Sequence, residues 1–270
     1  MKRARGKRIP LIDLLVRRFP DTDREELLAS ILCGEVYSPR GRHPDPKELI
    51  APETELRLQT KKYVSRAGQK LEAALSRWAV PVAGRRWLDA GASTGGFTDC
   101  LLQNGALLVH TVDVGYNQLA WSLRNDPRVV VHERTNAGSV GTLDPVPDAA
   151  VTDLSFRSLR GILRQILELT SQRWGIALLK PQFELAHDIR SGLAGDALPG
   201  GVVRDSETIR KVVRSVRSEL EKEMVDVIDA IPSPVRGRRG NQEYLLLVKH
   251  REGAALPHVL NVSRVSGDPI

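Results

Sequence analysis

Four ionisable residues, far apart in the chain, fall where one fold could gather them: Lys70, Asp153, Lys180 and Glu243. Asp153 follows the apolar run 149–152, and Lys180 follows the apolar run 175–179. If both runs are strands of an open α/β sheet, both side chains arrive at its carboxyl edge, where such sheets place their chemistry. Pro181 stops the second run immediately after the lysine, so Lys180 lies at the rim. Lys70 belongs to a helix before the first strand, and Glu243 opens the last strand. Each alone reads most simply as a surface charge. Two lysines and two carboxylates at those four positions suggest a site that handles a proton and stabilises developing charge.

A second site lies at residues 87–98, Trp-Leu-Asp-Ala-Gly-Ala-Ser-Thr-Gly-Gly-Phe-Thr, which read as a strand, a glycine-rich turn and a helix start. Gly91, Gly95 and Gly96 let the backbone turn tightly and approach a ligand. Ser93 stands where a dinucleotide fingerprint has its middle glycine, and no Gly-Lys-Ser/Thr follows, which excludes a nucleoside triphosphate loop. Asp113, about twenty residues on, ends the next strand, and a carboxylate there can accept both ribose hydroxyls of an adenosine cofactor.

These residues need a sheet to position them. Strands are predicted at 86–90, 107–112, 129–132, 149–152 and 175–179, with helices between them, notably at 95–104 and 157–170. Such alternation gives a doubly wound parallel sheet. The tail differs: a helix at 206–222, a strand at 225–230, a loop at 231–240 and a strand at 243–249. With no crossover helix, the last two strands must run antiparallel. A parallel sheet ending in such a pair belongs to Rossmann-like methyltransferases rather than dehydrogenases, and the expected cofactor is S-adenosyl-L-methionine rather than NAD. Before residue 60 the pattern is different. Leu11, Leu14, Leu15 and Phe19 mark one helical face, and Leu27, Leu28, Ile31 and Leu32 a second, with Asp21 to Asp23 as caps and Gly34 as the stop. Short strands at 36–37 and 55–58 complete a small α+β module.

The 270 residues suffice for one large core plus such an appendage. An apolar fraction of 41% excludes wholesale disorder. No apolar run approaches the roughly 20 residues that cross a bilayer, and no secretory signal is visible, so no membrane association is expected. Cys33 and Cys100 are isolated, which supports neither a disulfide framework nor a zinc site, so no metal is expected and a reducing cytoplasm is the default. The net charge of +7 suits a polyanionic partner. It clusters at Lys2, Arg3, Arg5, Lys7 and Arg8, at Arg17 and Arg18, at Arg24, at Arg40 with Arg42, and at Lys61, Lys62 and Arg66.

The segments 88–98, 113–116, 118–121, 133–136, 153–156 and 180–184 together resemble the hemolysin-A-type (TlyA) rRNA methyltransferases, an S4-like RNA-binding domain fused to an FtsJ-like 2′-O-methyltransferase domain. The resemblance spans nearly the whole chain. It implies an S4-like domain at 1–60, a linker at 61–66, the methyltransferase domain at 67–250 and a tail at 251–270. It also implies a Lys-Asp-Lys-Glu tetrad on Lys70, Asp153, Lys180 and Glu243. Cofactor contacts would come from Asp89, Gly91, Ser93, Gly95, Gly96, Phe97, Asp113 and Asn136, and RNA contacts from the basic clusters. The implied partners are ribosomal RNA and ribosomal subunits, with no obligatory protein partner, and the implied target is a cytidine in 23S rRNA, joined in longer members by one in 16S rRNA. The sequence departs from the family's linker and first turn at Lys61-Lys62-Tyr63-Val64 and Tyr37-Ser38-Pro39-Arg40-Gly41, and 187–199 is longer than the usual loop.

On that reading Lys180 engages the proton of the attacking ribose hydroxyl. Acting as a base it would need to be neutral, with desolvation or a second cation such as Lys70 beside it. Asp153 and Glu243 favour charged lysines, in which case Lys180 would steer the oxygen and stabilise negative charge. Rival classes fit less well. A 5-methylcytosine enzyme needs a nucleophilic cysteine near the chemistry, and Cys100 and Cys33 are elsewhere. An exocyclic-amine enzyme wants Asn/Asp-Pro-Pro-aromatic where this chain has Asp153-Leu154-Ser155-Phe156. A non-catalytic RNA-binding factor would not need the tetrad. A pore-forming hemolysin would need spanning helices or a barrel's strand pattern.

Overall fold

The computed structural model describes residues 7–32, 35–43, 45–58, 62–155, 157–190, 201–203, 205–237, 239–258 and 260. The chain divides into two compact units, Met1–Lys62 and Tyr63–Ile270. The division falls inside the expected linker. Tyr63 is buried in the main core and the Val64 N–H donates to Asp99, so residues from 63 onward belong to the larger unit.

In the smaller unit β1 (Ile9–Pro10) leads into α1 (Leu11–Arg18) and α2 (Arg24–Leu32). Then follow β2 (Val36–Ser38), β3 (Gly41–Arg42), β4 (Leu49–Ile50) and β5 (Arg57–Leu58). β3, β2 and β5 form one small sheet, and β1 pairs with β4. Asp23 caps α2 through its side chain, accepting from the Glu25 N–H at 3.0 Å. Leu11, Leu14 and Leu15 bury against Leu27 and Ile31. Leu28 and Leu32, expected on the same face, are exposed. Only the i, i+4 pair points at α1, and the next residue lies about 100° round the helix. Gly34 lies outside the described residues.

The larger unit opens with α3 (Ala67–Trp78), β6 (Arg86–Ala90), α4 (Gly96–Gln103), β7 (Leu108–Val112), α5 (Trp121–Arg124), β8 (Val129–His132) and β9 (Ala149–Thr152). It continues with α6 (Leu163–Glu168), β10 (Trp174–Leu179), α7 (Pro181–Arg190), α8 (Ser206–Lys222), β11 (Val225–Pro232) and β12 (Tyr244–His250). The sheet order is β11-β12-β10-β9-β6-β7-β8. β8, β7, β6, β9 and β10 run parallel, and β12 is antiparallel to both β10 and β11. This is the Rossmann-like methyltransferase sheet with its antiparallel end. β9 and β10 are buried on both faces, which is why they read as unbroken apolar runs. One face packs under α3 and α4, around Leu71, Trp78, Phe97 and Leu101; the other packs under α6 and α8, around Leu163, Val212 and Val216.

Two helices differ from expectation. The helix predicted over 157–170 is confined to α6, because Gly161 takes a φ of 71° and the Leu159 N–H turns aside to the Glu184 carboxylate at 2.8 Å. Conversely, the chain after Lys180 is helical through Arg190, with Pro181 at the first helical position, where its missing N–H costs nothing. Residues 191–199 of the long 187–199 stretch lie outside the described residues.

Candidate active site

The edge of the sheet brings the four ionisable residues together as two pairs. Leu179 pairs with Tyr244 across β10 and β12, so the next residues, Lys180 and Glu243, face each other at the rim. Parallel pairing of β9 with β10 brings Asp153 to the same rim. Lys180 Nζ lies 2.5 Å from Asp153 Oδ1 and donates to Leu154 O at 2.9 Å and Ser155 Oγ at 3.2 Å. Two hydrogen bonds, to Leu154 O and Ser155 Oγ, and the ion pair with Asp153 thus fix the amine in place. Lys70 Nζ instead donates to Glu243 Oε2 at 2.5 Å, with both side chains buried. Gly237 makes room for that carboxylate, since a Cβ there would lie 2.4 Å from Glu243 Oε1.

Beside these pairs runs the glycine turn. Gly91 has a φ of 87°, and a Cβ on it would lie 2.8 Å from Asp153 O. The turn is thereby nested against the residue that holds Lys180. Gly95 and Gly96 serve packing instead: a Cβ at Gly95 would meet Leu123, and one at Gly96 would meet Ser65. The cleft at the turn is lined by Ala92, Ser93, Thr111, Asp113, Leu119 and Glu133, among others, and opens to solvent. Asp113 accepts the Ser93 N–H at 2.8 Å and the Gly115 N–H at 2.6 Å, and its oxygens keep lone pairs for a ligand. Glu133 pairs with Arg124, whose guanidinium holds its carboxyl below the usual carboxylate range. Two carboxylates at the ends of β7 and β8, with Leu119 and Val131 as apolar wall, suit a nucleoside that offers hydroxyls and a flat ring.

Asp89 is fully buried and braces the turn by accepting the Thr98 N–H at 2.9 Å and its hydroxyl at 2.7 Å. Burial pushes its carboxyl up to about 7 despite those bonds, and its Oδ1 has no protein partner. An orphaned buried oxygen behind the glycine turn is consistent with a polar ligand or water there. Phe97 is a core side chain, 2% exposed, and does not line the cleft. Asn136 is exposed and accepts the Gly138 N–H at 3.0 Å, closing a turn away from the cleft lining.

The basic residues of the smaller unit face solvent where described: Lys7, Arg8, Arg17, Arg18, Arg24, Arg40, Arg42 and Lys62 are all exposed. Arg24 pairs with Asp13 at 3.2 Å, and Arg18 donates to Pro52 O at 2.7 Å. Arg66, in the larger unit, is exposed at the start of α3. Arg3, Arg5 and Lys61 lie outside the described residues.

One residue that sequence reasoning left without a role is Glu184. It is 1% exposed and accepts the Ser158 hydroxyl at 2.5 Å as well as the Leu159 N–H. It stands one helical turn after Lys180, so it ties α7 to the loop whose Leu154 and Ser155 grip that lysine. Burial raises its carboxyl, with Ser158, Leu159 and Arg160 acting the other way. Its position within Lys180-Pro-Gln-Phe-Glu184 was the available signal.

A family model described as FtsJ-like methyltransferase matches residues 63–250. The chain belongs to the FtsJ-like methyltransferase family. The FtsJ-like span starts at Tyr63, where the larger unit starts. Over 248 residues the chain is 40% identical to the 16S/23S rRNA (cytidine-2′-O)-methyltransferase TlyA of Mycobacterium tuberculosis, covering 90% of each. It is 32% identical over 201 residues to the 23S rRNA (cytidine-2′-O)-methyltransferase TlyA of Campylobacter jejuni, covering 74% of this chain and 76% of that one. Among solved structures, a candidate hemolysin from Streptococcus thermophilus superposes with a TM-score of 0.66 at 35% identity, covering 92% of this chain and 90% of that one. Among the described residues, no helix is long and apolar enough to cross a membrane.

Proposed function

We propose that the chain transfers a methyl group from S-adenosylmethionine to the ribose 2′-oxygen of a cytidine in ribosomal RNA, in the cytoplasm, with 23S rRNA as first substrate and 16S rRNA as the second to test. The packing of Gly91 against Asp153 supports this reading: Gly91 directly precedes the cleft residues Ala92 and Ser93, and Asp153 is the ion-pair partner of Lys180. The relatives named for cytidine 2′-O-methylation of rRNA supply the substrate class.

S-adenosylmethionine supplies an electrophilic methyl on its sulfonium. Asp113 would hold the cofactor's ribose hydroxyls, with Ser93 and the Gly91 turn against the remainder. Lys180, set among Asp153, Leu154 and Ser155, supports the electrostatic role over the base role: one N–H would turn from Ser155 to the 2′-oxygen and offset the negative charge left as the hydroxyl gives its proton to water at the rim, while the new oxygen–methyl bond replaces the methyl–sulfur bond and S-adenosylhomocysteine leaves. Asp153 then keeps the ammonium aimed at the rim. The Lys70–Glu243 pair closes the other side of the site.

Two measurements test the parts. Radiolabelled methyl transfer to unmodified rRNA and to each ribosomal subunit tests the activity; leakage of liposomes without methyl transfer would replace this reading with a pore-forming one. For the cofactor, Asp113→Ala is expected to weaken S-adenosylmethionine binding about tenfold or more by calorimetry, in keeping with the loss of hydrogen bonds to a charged group. Gly91→Val is expected to abolish binding, because its side chain has no room at Asp153. Unchanged binding in both would remove the cleft from the reading.

The smaller unit is proposed to be the S4-like RNA anchor. Deleting residues 1–60 is expected to leave cofactor binding intact while flattening the salt dependence of rRNA affinity, since each lost phosphate contact removes about 0.7–0.9 from the log–log slope. An unchanged slope would return its arginines to the role of a solvated surface.

A further inference from the structure

Three large apolar side chains stand in solvent on one short segment beside the cleft. Val114 is 72% exposed, Tyr116 64% and Trp121 75%, whereas Trp78, Trp87 and Trp174 are fully buried. Scattered exposed apolar residues need no explanation, but this segment also contributes Gly115, Gln118 and Leu119 to the cleft lining. The Arg134 guanidinium lies over the Tyr116 ring, 4.1 Å from its centroid, and the Arg134 N–H donates to Gly115 O at 3.0 Å. No carboxylate pairs with Arg134 among the described residues. A flat cation stacked on a flat ring, with an exposed indole five residues further along the same segment, is the chemistry that receives unstacked nucleobases.

We propose that Tyr116, Arg134 and Trp121 form a stacking platform for the RNA bases flanking the methylated nucleotide. The inference rests on the RNA methyltransferase reading and extends it to a surface outside the two lysine–carboxylate pairs. In-line transfer fixes the acceptor ribose, and a nucleotide turned to that orientation leaves its stack. Its neighbours then lose stacking partners, and the platform, on the segment that borders the cleft, would replace them. Every base has a π face, so the platform would supply affinity and orientation with little sequence preference. Arg134 adds positive charge that suits the adjoining phosphates, in keeping with the chain's net charge of +7.

Trp121 provides a direct readout, being the exposed tryptophan of the four in the chain. With the full-length protein and an unmethylated 23S rRNA transcript, saturating RNA is expected to shield Trp121 from acrylamide quenching, and Trp121→Phe is expected to remove that change. Tyr116→Ala, Trp121→Ala and Arg134→Ala are each expected to lower transcript affinity about tenfold, the scale of one lost base–aromatic stack, with calorimetric cofactor binding retained. If the wild-type protein methylates the transcript while Trp121 stays fully quenchable and the three variants bind normally, the platform is overturned and the activity stands. If light scattering shows self-association that Trp121→Ala abolishes, with RNA affinity unchanged, the patch belongs to a second copy and the proposal is overturned. A wild-type protein that neither binds nor methylates the transcript overturns both readings.

Discussion

Lys180→Ala is expected to lower methyl transfer by about a thousandfold while cofactor affinity, measured by calorimetry, stays within about twofold of wild type. The size follows from where the amine sits. It is held by Asp153, Leu154 and Ser155 at the rim, and α7 begins at the next residue, so neither end of the side chain is free to drift. A donor fixed before the reaction costs no reorganisation when charge develops, and that is the term lost with the side chain. The cleft proposed for the cofactor is lined by residues of 92–133, not by Lys180, so binding should survive. Lys180→Arg separates the two roles the sequence left open. A guanidinium cannot act as a base but can still donate, so retention of measurable turnover supports the electrostatic role, and a loss equal to that of Lys180→Ala supports the base. Near wild-type turnover in Lys180→Ala would rule out both. Glu184→Gln serves as the positioning control: it keeps the shape but weakens the tether to Ser158 and Leu159. Reduced kcat with unchanged KM and cofactor affinity would mark Glu184 as holding the lysine loop rather than touching substrate.

Three members of the rim were legible because Asp153, Lys180 and Glu243 each sit next to an apolar run. Asp153 and Lys180 follow strands buried on both faces, and such strands leave an unmistakable apolar signal that ends where the charge begins. The antiparallel end of the sheet followed from the short link between β11 and β12, which contains no crossover helix. Pairing within the tetrad was not legible. The sequence suggested Lys70 as a cation acting on Lys180, but Lys70 bonds to Glu243, a partner 173 residues away, and no local pattern encodes so long a contact. Phe97 was open to two readings, a cofactor contact or a core residue, and the helix turns its ring into the core beneath α3. Glu184 was hidden for a third reason: its effect is to divert the Leu159 N–H from the helix that the apolar periodicity of 157–170 predicted, and periodicity cannot report a tertiary competitor.

Breaking the Lys70–Glu243 pair should show in stability before it shows in chemistry. Lys70 Nζ and Glu243 Oε2 are 2.5 Å apart, and the residues are 8% and 3% exposed. Removing one partner of a buried pair leaves the other charge without compensation, which typically costs about 3–5 kcal/mol. Lys70→Met is therefore expected to lower the Tm of the larger unit by roughly 6–20 °C, given about 2–4 °C per kcal/mol for a unit of this size. Glu243→Leu should do the same by stranding the ammonium. The double variant Lys70→Met/Glu243→Leu should recover most of the loss, because replacing both partners with apolar groups of similar volume is often neutral. Activity then becomes interpretable. If the double variant regains stability but not methyl transfer, the pair acts on the substrate or on the neighbouring Lys180. If it regains both, Lys70 and Glu243 join α3 to the sheet edge and do no more, and the chemistry contracts to Lys180 and Asp153. If Lys70→Met causes no loss of stability, the pair is open to water, and the rim is a solvated surface rather than the closed wall described above.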